Sequence, residues 1–461
     1  MQNVKRASLT EGPIFSKMLL FALPVILTGI LQLLYNSADS IIVGRYSGDP
    51  NALGAVGSTG AVTGLLLNMF MGLATGTSVL VSQFFGARNE GAVSRTVHTS
   101  MTFALFGGII LTLIGELVAS PLLTLLDTKP DLFDSALLYV RIIFLGAPAA
   151  AIFNFGAAAI RSLGDSKTPL IILAASGLIN VLLNLVFVLG AGMSVGGVAL
   201  ATIISQFISA IGVIVVLMRT DGPHRLRFKA LRVDIPILKR MLKIAIPSAI
   251  QSSLFSISNM ILQSSINTFS TDEVSGISVG ANIESFMYTT LNSFYTVTIT
   301  FVGQNYGAHK PKRTKKIVFY SLTQITIVGV SLAALITVLL EPFSMMFVDP
   351  TAENTAAVVA ASVRRCNVCL FAYVFCGFME ATTGFLRGYG YSVLPMASSV
   401  ICICVIRAIW ATFIFPNYQA LNTIEGLFII YPITWFMASV AQGIMAVVVY
   451  KKKRREFKSE I

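Results

Sequence analysis

The chain has 461 residues, 55% hydrophobic and only 12% charged. Soluble domains carry about 25% charged residues, so a water-soluble globular protein is excluded, and apolar runs of twenty residues or more mark helices that cross a bilayer. The formal net charge of +12 calls for no nucleic acid, because a polytopic protein collects Lys and Arg on the inner side of its membrane.

Twelve apolar runs follow in chain order, near residues 15–41, 53–83, 96–120, 135–160, 168–190, 195–218, 240–268, 275–303, 315–340, 356–386, 394–415 and 424–450. The fold class expected is an all-α polytopic membrane protein, twelve transmembrane helices in two pseudo-symmetric six-helix bundles. The N-terminal "MQNVKRASLTEGPIFSKMLL" is no cleavable signal, because the apolar run after it is too long and lacks a small-residue cleavage site. With the N-terminus inside, the inner face receives Lys5, Arg6, Lys17, Arg88, Arg95, Arg161 and Lys167. The stretch before the seventh run, the patch "HKPKRTKK", Arg387 and the tail "KKKRREFK" follow, for 27 of the 33 basic residues. Outer loops such as "LLDTKPDLFD" and "STDEVSG" are acidic or small and polar. Both termini are therefore expected in the cytoplasm, and the basic tail is placed to touch anionic lipid headgroups.

The first run holds Pro24, where a helix can kink, and Asp39. A carboxylate at the bilayer centre costs about 2.5–3.5 kcal/mol on insertion scales, so it needs partners, water or a proton. Asn36 lies three residues before Asp39, and in the fifth run Asn180 and Asn184 are four apart, each pair on one helix face. These amides are candidates to hold the carboxylate or a cation beside it. Gly57, Gly60 and Gly64 in the second run read as close-packing positions, and Gly86 and Gly307 as tight helix exits. Buried acids recur as Glu284 in the eighth run and Glu380 in the tenth, functional suspects by default. Tyr35, Met287, Tyr288 and Tyr295 add aromatic faces and a flexible thioether, which suit promiscuous binding of flat cations. With Glu284 and Glu380 they make up the candidate substrate lining. The five cysteines, Cys366, Cys369, Cys376, Cys402 and Cys404, fall in two runs and read as small packing residues, and no metal site is expected from them.

The two halves echo each other. "ALP" at Ala22–Pro24 recurs as "AIP" at Ala245–Pro247, "VSQFFGA" at Val81–Ala87 as "VGQNYGA" at Val302–Ala308, and "RSLGDSKTP" at Arg161–Pro169 as "RGYGYSVLP" at Arg387–Pro395. The offsets are 223, 221 and 226 residues, in the same order. Six crossings per copy is an even number, so both copies enter from the same side, as in carriers built from parallel repeats. The expected lobes are 1–222 and 223–461, the second with a basic cytoplasmic tail, joined by the basic stretch around 219–239.

Pro24, Asp39 and Gly44 in the first run, "VSQFFGARNEG", "RSLGDSKTP", "ANIESF" and "VGQNYGAHK" together resemble the multidrug and toxic compound extrusion (MATE) transporters, bacterial branch. The resemblance implies two six-helix lobes around a V-shaped cavity and efflux of drugs in exchange for protons or sodium, with the ion gradient as energy source and no cofactor. It implies that Asp39 is the coupling acid, and the place where sodium would sit. Many members carry an acid where this chain has Asn184; its loss leaves less negative charge for a hard cation and tilts the reading toward protons. Sodium-coupled members carry an acid in the seventh span, and "PSAIQSSLFSISNMILQSSINTF" has none. The partners implied are small molecules, lipophilic and cationic, and membrane lipid, with the protein a monomer in a bacterial inner membrane.

Two rivals remain. A lipid-linked oligosaccharide flippase of the same superfamily would want several positive charges in its cavity, whereas the buried ionisable residues singled out here are acids. A membrane-embedded enzyme would want a span-buried nucleophile with its base or a metal motif, and His98, His224 and His309 all lie near loops.

Overall fold

A computed structural model describes residues 9–48, 51–126, 128–348 and 352–459. Lys5, Arg6 and Asp127, which entered the charge pattern, lie outside the described residues. The first half contains α1 (Ile14–Tyr46), α2 (Gly60–Gly86), α3 (Glu90–Leu125), α4 (Pro130–Leu145 with Ala147–Ser162), α5 (Lys167–Gly190) and α6 (Val195–Arg219). The second contains α7 (Ile235–Ile266), α8 (Thr271–Gly307), α9 (Pro311–Val338), α10 (Thr355–Cys369 with Tyr373–Gly388), α11 (Val393–Asn417) and α12 (Ile424–Phe457).

Among the described residues, nine helices are long and apolar enough to cross a bilayer, and the bent pairs α4 and α10 raise this to 11. The twelfth, α8, is a 37-residue helix too rich in Ser, Thr and Asn to qualify on hydropathy, and it buries much of its length inside the protein instead. A Ser270–Glu273 capping box starts it, satisfying two of its orphan N–H groups reciprocally. The architecture is the expected one, two six-helix halves.

The chain forms two compact units, Leu27–Ala249 and Leu9–Ile26 with Ile250–Ile461. α1 runs unbroken through Pro24 and gives its first part to the second unit. α7 gives its start to the first: Gly76 of α2 lies so close that a Cβ there would meet the Met241 carbonyl oxygen at 2.5 Å. Gly57, Gly60 and Gly64 do not pack this way; a Cβ on any of them meets nothing within 4 Å among the described residues, which corrects the sequence reading. The small side chain is needed further along α2, where α7 crosses it.

The repeat is written in the backbone as well as in the side chains. Arg88 and His309, 221 residues apart, are the only non-glycine residues with positive φ among those described, at 54° and 55°. Each follows a helix end closed by a six-to-one bond, Asn89 N–H to Phe84 O at 2.9 Å and Lys310 N–H to Asn305 O at 2.9 Å. Gly86 and Gly307 are therefore the last helical residues and not the turning ones. After α4 and α10 the left-handed residues are Gly164 and Gly390, 226 apart. The fourth helix of each half bends by nearly the same angle, 47° in α4 and 49° in α10. Finally, α5 widens into π-helical turns at Leu185–Gly190, and α11 does so at Val400–Val405 and Trp410–Ile414. Turns of this kind concentrate at functional sites.

Candidate functional site

Asp39 is the one buried acid of the first unit among the described residues. α5 and α6 bring neutral donors to both of its oxygens. Asn184 Nδ2 donates to Asp39 Oδ1 at 2.5 Å, and Thr202 Oγ1 donates to Oδ2 at 3.3 Å. Asn184 Nδ2 also donates to Asn180 Oδ1 at 3.3 Å, so the two amides one turn apart on α5 act together. Asn184 is fully buried, and its own Oδ1 has no hydrogen-bond partner among the described residues. It stands at the last α-helical residue before the π-helical turns of α5. Tyr139 of α4 lies within electrostatic reach of the carboxylate. Asn36, expected to share this cluster, is exposed, and its backbone carbonyl accepts from Ser40.

Tyr35 takes a packing position beside the cluster. Its hydroxyl donates to Ala174 O at 3.2 Å, and its ring lies so close to Gly177 that a Cβ there would fall 1.9 Å from it. α1 and α5 are thus clamped by a ring on a glycine, one turn from Asn180 and Asp39.

Glu284 is held quite differently. Arg365 of α10 grips it through Nε to Oε1 at 3.1 Å and Nη2 to Oε2 at 2.9 Å, and Tyr373 donates to Oε2 at 3.3 Å. Both partners are buried, and the Arg365 guanidinium stacks over Phe428 at 4.4 Å and donates to Ile277 O at 2.9 Å. This bidentate pair neutralises Glu284. Glu380 is buried with no hydrogen bond or salt bridge among the described residues, though Arg387 acts on it electrostatically. Arg387 itself donates to Gln251 Oε1 at 2.8 Å and to the Tyr295 hydroxyl, lying over the Tyr295 ring. Tyr288 senses Glu380 and is partly exposed, while Met287 is sealed in the core.

The MatE family profile matches residues 24–186 and 247–413. The chain belongs to the MatE family. The two matched segments are the two copies of the repeat, ending inside the wide turns of α5 and α11. This MatE protein is thus a multi-pass membrane transporter and not an enzyme. It is 26% identical over 432 residues to the probable multidrug resistance protein YoeA of Bacillus subtilis, covering 92% of this chain and 91% of that protein. It is 22% identical over 409 residues to the multidrug export protein MepA of Staphylococcus aureus, covering 87% and 89%. In fold it is similar to the crystal structure of MATE in complex with MaL6, with a TM-score of 0.91 at 20% identity over 98% of this chain and all of that one.

Sequence reasoning missed Thr202, Tyr139, Arg365 and Arg407 in this MatE chain. Thr202 sits in an apolar run and looks like any other threonine that back-bonds within a helix, which it also does, to Val198 O. The arginines had a legible signal, since a basic residue within an apolar span is costly and functional until shown otherwise.

Proposed function

We propose that this MatE transporter is a multidrug efflux antiporter of a bacterial inner membrane, exporting lipophilic, cationic small molecules in exchange for protons by alternating access, with Asp39 as the coupling carboxylate. It works as a monomer with both termini in the cytoplasm. The observation that carries the reading is the pairing of the buried acids. Glu284 is locked on Arg365, whereas Asp39 has no basic partner among the described residues and only neutral donors on its two oxygens.

That arrangement suits a carboxylate which loses and regains a proton. Charged, Asp39 accepts from Asn184 and Thr202. Once protonated it must donate, so at least one of those bonds breaks and the hold on α5 and α6 loosens. Asn184 Oδ1, buried without a partner, is an acceptor waiting one amide rotation away. The donors aimed at Asp39 favour protons over sodium, because sodium wants several oxygen ligands turned toward it. Where a monovalent cation leaves as one proton enters, the exchange is electrically silent, and the pH difference drives it with about 1.4 kcal/mol per unit, about ten-fold in cargo gradient.

The test is uptake of ethidium-like cations into proteoliposomes under a pH gradient or a sodium gradient imposed separately, for the wild type and Asp39→Asn. Uptake driven by pH alone and lost in Asp39→Asn is the expected result. Uptake driven by sodium alone overturns the choice of ion. No uptake under either gradient overturns the exporter reading itself.

A further inference from the structure

Among its described residues the second unit buries five charged side chains, Arg365, Arg387 and Arg407 against Glu284 and Glu380. One positive charge is left over. Arg365 is paired with Glu284, and Arg387 shares its field with Glu380. The surplus is Arg407 of α11, which makes no salt bridge among the described residues.

Its surroundings are built. Nε donates to Thr434 Oγ1 of α12 at 3.1 Å, and the guanidinium carbon lies 3.8 Å from the Tyr431 ring centroid and 5.5 Å from that of Trp435. The ionisable groups around it are the thiols of Cys369, Cys376 and Cys404 and the Tyr431 phenol, ordinarily neutral groups. Nη2 is buried and has no hydrogen-bond partner among the described residues. One turn on, on the same face of α11, the indole Nε1 of Trp410 is a second buried donor without a partner. Both lie where α11 departs from regular helix, Arg407 in the short α turn between two π-helical stretches and Trp410 at the start of the second.

The repeat gives this place a meaning. The 226-residue offset carries Asn184 onto Trp410, one turn past Arg407. Thr202 lies seven residues beyond the start of α6, as Tyr431 does beyond the start of α12. The second unit thus presents buried donors and a fixed positive charge on the helices that correspond to the two whose donors hold the acid of the first unit.

We propose that Arg407, Trp410 and the Tyr431 ring form a second ligand site, which takes the carboxylate of a flat aromatic molecule. Nη2 of Arg407 supplies a charge-assisted hydrogen bond to one carboxylate oxygen, and the Trp410 N–H is the donor for the other. Tyr431 and Trp435, packed on the guanidinium and edge to face on each other, make the wall behind it aromatic. The proposal rests on the exporter reading for its consequence, that the cargo includes aromatic acids and zwitterions as well as cations. It does not rest on that reading for its test.

The test is equilibrium dialysis of labelled benzoate against the full-length protein in detergent, with benzamide and decanoate as competitors, and no ion gradient. Benzoate is expected to bind saturably and about ten-fold more tightly than neutral benzamide, the effect of one charge-assisted bond. Decanoate, which carries the same headgroup as a free lipid acid, is expected to compete poorly. Arg407→Gln should bring benzoate down to the level of benzamide, and Arg407→Lys should keep part of the preference. Equal binding of benzoate and benzamide by the wild type overturns the site, and that comparison needs no variant to fold. A preference for benzoate that survives Arg407→Gln overturns it too, and decanoate competing as well as benzoate reassigns the site to lipid and overturns its aromatic specificity. Because dialysis needs no transport, these results stand apart from success or failure of the uptake experiment.

Discussion

The first unit carries Asn184 and Thr202, from the wide turn of α5 and the start of α6, to a buried acid. In the second, the corresponding parts of α11 and α12 carry Trp410, Tyr431 and Thr434 around a buried arginine. The position that matches Asp39 at an offset of 223 residues is Leu262, sealed in the core of the second unit. The turns, bends and left-handed residues of the two halves coincide within the repeat, so the backbone has been kept while the acid of the first unit has been replaced by an apolar residue at the matching position. A scaffold shared by two halves therefore says little about the chemistry in either, and function must be argued from each site.

The comparison also separates two ways of keeping an acid in a membrane, and it can be broken by substitution. Glu284→Gln strands the Arg365 charge and should destabilise the second unit by about 3–5 kcal/mol, read as a lowered melting temperature in detergent. Replacing both partners with methionine should recover most of that loss, and failure to recover it would mean that the pair is not what holds α8 to α10. Next in size, Gly177→Ala drives a methyl into the Tyr35 ring and should cost about 1–3 kcal/mol; Tyr35→Ala in the same chain should relieve part of the strain, in a double-mutant cycle on melting. Thr202→Val removes one donor from Asp39 and should cost about 1 kcal/mol while shifting the pH at which exchange is half-maximal. The smallest stability effect should come from Asp39→Asn, about 1 kcal/mol or less, because no countercharge is left behind. Its effect on proton-driven exchange should nevertheless be total. A loss of folded protein as large as that for Glu284→Gln would erase the distinction between the two acids.

Much of this was legible in the sequence. The twelve runs, the three repeated motifs and the span-buried Asp39 each rest on signals that a linear reading can see: length of apolar run, matching strings in order, a charge where none is cheap. Asn180 and Asn184 were visible for the same reason, two amides four apart in an apolar helix. What escaped is pairing across the fold. Glu284 looked like an open carboxylate until α10 placed Arg365, 81 residues away, against it. Thr202 is 163 residues from Asp39, and no spacing rule joins them. Asn36 shows the opposite error, since a neighbour on the same turn of α1 still points away from the cluster. The glycines of α2 fail for a related reason: small residues mark a close approach only where another helix arrives, and α7 arrives at Gly72 and Gly76.

The two left-handed turns after α2 and α8 offer a handle for anyone who wants a sturdier preparation of this protein. Arg88 is exposed there with a φ of 54°, a region that a side chain occupies at a penalty and glycine occupies freely. His309 shares the conformation, but its ring sits 4.9 Å from Phe457 and repays the strain with a contact. Arg88→Gly should therefore raise thermal tolerance by a fraction of a kcal/mol, up to about 1, where His309→Gly should not. A single change in an exposed turn would give crystallographers and screeners a longer working life for the same transporter.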